Sequence, residues 1–148
     1  MRRTAWVAWA CLVALGGVLP GAVRPVHAAG KNFIALMTGG QEVPPTGSEA
    51  SGIAYLFINA ESRLCYSITT TRLEGGSEVA SHVHGPAGPG VSANPLFSIP
   101  ETGLTKNGCV GPLTKSNKKD LSKGLLYLNI HTQQFQGGEI RGQILPTK

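Results

Sequence analysis

From Lys31 onward, apolar and polar positions alternate with a period of two, and the 3.6-residue rhythm of a surface helix is absent. Short runs rich in Ile, Val, Leu, Thr, Tyr and Phe predict strands over 31–38, 52–59, 63–71, 79–84, 95–99, 125–131 and 139–145. Turn formers separate them, among them Gly39-Gly40, Pro44-Pro45-Thr46-Gly47, Gly75-Gly76, the Gly/Pro run over 85–90, and Gly137-Gly138. Only 116–123 has the composition of a helical turn. Seven or eight antiparallel strands at this spacing predict an all-β domain, a Greek-key-like β-sandwich or a flattened barrel. No internal repeat, low-complexity tract or second domain interrupts the pattern.

The last two strands allow a register to be written. If His131 lies opposite Glu139 in an antiparallel hairpin, Asn129 faces Arg141 and Tyr127 faces Gln143. Leu126, Leu128, Ile130, Ile140 and Ile144 then fall together on the other face, which must be the core. A slip of one residue would mix the two sets. In Ser81-His82-Val83-His84 the same rule turns Val83 inward and sets His82 and His84 on one outer face. All three histidines beyond residue 28 are thus expected on a polar, solvent-facing side of the sheet.

That placement gives the face a chemistry. Positions i and i+2 of a strand stand roughly 6.6 Å apart, so His82 and His84 with His131 from another strand could offer three imidazole nitrogens to Cu or Zn. Asn129, Glu139 and Arg141 would surround those ligands, with Glu139 as a fourth ligand or an outer hydrogen-bond acceptor. Tyr127, on the same face, is expected to be a bystander. The alternative is that the histidines cap turns or bond exposed backbone. No nucleophile elbow, His-Glu-x-x-His run, phosphate loop or CxxC is present. The prolines in the 85–90 run remove N–H groups that a phosphate cradle would need.

The N-terminus changes the reading of composition. Met1-Arg2-Arg3, an uncharged apolar run of about 15 residues to Leu19, and small residues around Val26-His27-Ala28 form the pattern of a secretory signal. Cleavage after Ala28 would leave one domain at 29–148. The run falls short of the roughly 20 residues of a membrane span. Arg2-Arg3 leaves a twin-arginine route open, and Cys11 inside the apolar run argues against a lipoprotein anchor. Removing the signal takes away three arginines and lowers the formal charge from +5 to +2. No nucleic-acid partner is expected from so weak a balance, nor membrane attachment after cleavage. The one basic cluster, Lys115, Lys118, Lys119 and Lys123, reads as a solvated turn before it reads as an anionic-partner patch. Cys65 and Cys109 survive processing, and two cysteines in a secreted or periplasmic domain predict one disulfide; free or metal-binding thiols are the alternative.

Phe33-Ile34-Ala35-Leu36 and four ordered motifs after it carry a family resemblance: Gln41-Glu42-Val43-Pro44-Pro45, Ser81-His82-Val83-His84-Gly85-Pro86-Ala87, 125–132 and 138–143. The chain resembles the CHRD (chordin) domain family over nearly all of 29–148. It departs at Ser81, where the family usually has Ala, and at 133–137, which replaces a short Pro-Gly turn. The resemblance implies a domain often found without an assigned activity, hence a binding or structural module with a protein or polysaccharide partner. A looser analogy runs to copper–zinc superoxide dismutases, also β-sandwiches, with a His-Val-His strand, a later strand-borne histidine and a late arginine. His82, Val83, His84, His131 and Arg141 stand in that order here, without a histidine-rich zinc loop. Three readings follow: a module holding Cu or Zn, a copper redox enzyme, and a metal-free interaction module.

Overall fold

The structure is a computed structural model that describes residues 31–147. The segment read as an export signal lies outside the described residues. Eight strands form: β1 (Asn32–Thr38), β2 (Ser51–Ile58), β3 (Leu64–Thr71), β4 (Glu78–His84), β5 (Pro95–Ser98), β6 (Thr105–Val110), β7 (Leu126–Thr132) and β8 (Ile140–Pro146). Among the described residues, one α-helix, α1 (Lys115–Ser122), precedes β7. All strand pairs are antiparallel, in the order β5-β4-β7-β8-β1-β2-β3-β6. The chain runs β1–β2–β3 as a meander, crosses to β4–β5, returns to lay β6 beside β3, and crosses again to β7–β8. This single sheet curls into a nearly closed barrel.

One-sided burial drives the curl. Phe33, Ala35 and Met37 of β1, Ala54 and Leu56 of β2, and Leu64, Tyr66 and Ile68 of β3 point inward and are buried. They meet Val83, Leu126, Leu128, Ile130, Ile140 and Ile144 from the other half. Each large aliphatic side chain removed from water here contributes about 1.5–3 kcal/mol. The β7–β8 register is the one that separates apolar from polar: Tyr127 lies opposite Gln143, Asn129 opposite Arg141 and Ile130 opposite Ile140.

Between residues 99 and 125 the alternation had suggested no strand, yet β6 lies there as an edge strand beside β3. Its inward positions hold Lys106, Gly108 and Val110, so the period of two carries little hydrophobic contrast. Lys106 is buried because its ammonium pairs with the Glu78 carboxylate and donates to Ser81 Oγ at 3.0 Å, both on β4. That ion pair bridges the two ends of the sheet from inside. On the same strand pair, Cys65 and Cys109 are directly opposite and joined by a disulfide across a sequence separation of 44. Closing a loop of that length is worth about 4 kcal/mol in the chain-entropy account. Helix α1 carries Lys115, Lys118 and Lys119 on a turn capped by Thr114 and Asn117, and buries Leu121.

Candidate metal centre

Residues 82, 84 and 131 sit on the outer side of two neighbouring strands, β4 and β7. Pairing sets Ala80 opposite His131, His82 opposite Asn129 and His84 opposite Tyr127. A bulge near Val79 rephases β4, so that Ser81 and Val83 turn into the barrel while both β4 histidines turn out. One ring nitrogen from each of His82, His84 and His131 lies within 4.8 Å of the others. Metal–imidazole bonds of about 2.0–2.1 Å put tetrahedral ligands about 3.4 Å apart, so small side-chain rotations would bring all three onto one ion.

The hydrogen bonds decide which nitrogens are available. His84 Nδ1 is 2.9 Å from the carbonyl of Ala93, and His131 Nδ1 is 2.8 Å from the carbonyl of Gln136. A carbonyl only accepts, so both Nδ1 atoms carry protons, and in the neutral ring each Nε2 keeps its lone pair. His84 Nε2 is buried and has no hydrogen-bond partner. His82 Nδ1 is 3.0 Å from His131 Nε2 and donates to it, a proton that a cation would displace. Carbonyls that fix the far nitrogen are the outer partners metal-binding histidines commonly have. Burial, then the proximity of His131, holds His82 below the usual imidazole range. Burial also lowers His84, helped by His82, His131 and Arg141 and opposed by the bond to Ala93. Both shifts favour the neutral imidazole that a ligand must be.

The face is not open to solvent as the alternation implied. Asn129, Tyr127 and Arg141 are buried, and only His82 and His131 of the three histidines remain half-exposed. The cover is the β4–β5 loop, held down from below. Arg141 Nη2 donates to the carbonyls of Val91 (2.6 Å) and Gly88 (3.4 Å), and Gln143 Nε2 donates to Ala87 at 2.7 Å. Tyr127 is no bystander. Its ring stacks on His84 at 4.8 Å, the Arg141 guanidinium sits 3.5 Å from its centroid, and its hydroxyl bonds both the N–H and the carbonyl of Ala93. Arg141 therefore supports the loop that orients His84. Its Nη2 is committed to those carbonyls.

Glu139 departs furthest from expectation. Its backbone continues the predicted register, its N–H reaching Ile130 at 2.7 Å, but its carboxylate takes four hydrogen bonds from non-histidine donors. These are Ser48 Oγ (2.8 Å), Thr132 Oγ1 (2.7 Å), and the backbone N–H groups of Glu74 (2.6 Å) and Gly75 (3.1 Å). Burial alone would raise this carboxyl, and the four donors outweigh it and hold it below the usual range. A carboxylate so occupied is tied to the fold at the barrel's end and has no hydrogen bond to offer the histidines. Glu42 took no place among the expected site residues, yet it accepts from Asn129 Nδ2 at 2.6 Å. Burial raises it to about 7 against the pull of Arg141 and Asn129. Ala93, Gln136 and Glu42 come from loops whose return path has no periodic signature; of the missed partners, only Tyr127 was marked by its position on the face.

An all-β barrel with one polar face roofed by loops and a converging histidine trio defines the class. The family model for the CHRD domain matches residues 33–144, and the chain belongs to the CHRD domain family. No solved structure matches it. The disulfide and the family both fit an extracellular protein.

Proposed function

We propose that this CHRD domain is an exported module that holds one copper or zinc ion through His82 Nδ1, His84 Nε2 and His131 Nε2. The observation that carries the reading is the buried, unpartnered lone pair of His84 Nε2 beside two further imidazole nitrogens. An orphaned buried polar atom is costly in a native fold, and a cation accounts for it. Neutral imidazoles suit both metals, and in direct competition copper(II) binds the tighter. The half-exposed side of His82 and His131 leaves room for an exchangeable ligand, as in centres that do chemistry. That open side favours the copper redox enzyme as a second reading.

Metal analysis of the full chain purified from its own compartment, then calorimetric titration with copper and zinc, tests both. One ion per chain is expected, with each single alanine substitution of the three histidines weakening binding more than a hundredfold. Weak binding with small, additive losses would mean no common site, and would favour a metal-free interaction module. Turnover of superoxide by the loaded chain separates the enzyme from a carrier or structural centre.

A further inference from the structure

Among the described residues, two buried side-chain polar atoms lack a hydrogen-bond partner, and the proposed centre accounts for one of them. The other is Asn129 Oδ1. Asn129 lies opposite His82 across β4–β7 and opposite Arg141 across β7–β8, so its side chain rises in the middle of the roofed face. The amide is held on one side. Its Nδ2 donates to Glu42, and Gly138, at φ +127°, packs so closely that an added Cβ would stand 2.2 Å from Nδ2 and 2.5 Å from Glu42 Oε1. Gly138 leads into β8, and Glu42 follows β1, the other neighbour of β8. With Nδ2 committed to Glu42, the oxygen is the free end of an amide whose cross-strand neighbour on β4 is His82. Arg141, its cross-strand neighbour on β8, directs Nη2 at the carbonyls of Val91 and Gly88 and makes no bond to this oxygen. A buried acceptor fixed in place without a donor calls for a proton from a bound group.

We infer that Asn129 selects the ligand at the open position of the metal centre, its Oδ1 accepting a hydrogen bond from a protic ligand such as water. The inference rests on the metal reading above. A coordinated water directs one proton at Oδ1. An aprotic anion such as azide offers only lone pairs there, so it forfeits that bond and sets two acceptors against each other. Asn129 thus discriminates among small ligands without touching the ion.

The test uses the full chain loaded with copper(II) sulfate and titrated with azide, followed by the charge-transfer absorption of the azide complex. Asn129→Leu should keep one copper per chain and bind azide about five- to tenfold more tightly than the wild type, the worth of one hydrogen bond. Equal azide affinities would overturn the inference. A crystal structure of the copper-loaded wild type gives an answer even if the leucine variant does not fold. A metal-bound oxygen within about 3 Å of Asn129 Oδ1 is expected, and a bound oxygen out of its reach overturns the proposal. Failure of the wild type to take up copper at one per chain would appear before azide is added; it would sink the metal reading and this inference with it.

Discussion

Two polar clusters flank the same end of the β7–β8 hairpin, and they are built in opposite ways. Around Glu139, four donors converge on one carboxylate and both of its oxygens are satisfied. Around His82, His84 and His131, two ring N–H groups are tied to carbonyls, while the lone pair of His84 Nε2 and the amide oxygen of Asn129 are buried without donors. A polar cluster that serves the fold completes itself from the chain. One that serves a ligand is left short by what the ligand supplies. Composition alone would have ranked the carboxylate with the imidazoles; satisfaction of hydrogen bonds separates them.

The comparison can be broken by removing one member from each side. Glu139→Ala should cost about 3–5 kcal/mol in denaturant unfolding, because it strands two backbone N–H groups, one of them buried, and two hydroxyls. Metal affinity per folded chain should hardly change; a large loss would return Glu139 to the metal site. His131→Ala should do the reverse, lowering copper affinity more than a hundredfold, about 2.7 kcal/mol. Metal-free stability should fall by less than about 1 kcal/mol, since the ring is half-exposed. Equal effects of both variants on both properties would erase the distinction.

Glu42 sharpens it by pH. Its folded value is about 7 against an ordinary 4.5, so the folded chain keeps a proton that the unfolded chain releases. Stability should be full below pH 4.5 and decline as pH rises to 7. At about 1.4 kcal/mol per unit, the decline is worth about 3–4 kcal/mol, and Glu42→Gln should remove it. Urea unfolding of both chains at pH 4 and pH 8 measures the difference; parallel pH profiles would show that Glu42 ionises freely. The smallest effect is expected from Tyr127→Phe, which deletes the hydroxyl holding Ala93. Copper affinity should drop about three- to tenfold with the fold intact, and unchanged affinity would show that His84 needs no such support.

How far the sequence carried this picture depends on what each residue's partner is. The β7–β8 register was legible because alternating burial permits one alignment only, and the same rule put His82, His84 and His131 together. Strand β6 was hidden because its inward slot holds Lys106, a cation that is buried only by virtue of Glu78 on a strand far away in sequence. The roof over the histidines was hidden for a related reason. Its contacts are to the carbonyls of Ala87, Val91, Ala93 and Gln136, and a backbone carbonyl has the same identity at every position. The setting of Glu139 was hidden because three of its four donors, Ser48, Glu74 and Gly75, belong to loops more than sixty residues upstream.

The strand order has one more consequence. His82 and His84 belong to β4 and His131 to β7, which are neighbours in space and 49 residues apart at the pairing of their rings. A chain that has formed its local hairpins, β2–β3 and β7–β8, but has not laid β4 against β7 presents two imidazoles in one place and the third in another. Contacts of such sequence separation are the slow ones to form. Three-coordinate metal uptake would therefore act as a clock for the crossover connection, starting only when the barrel has found its topology.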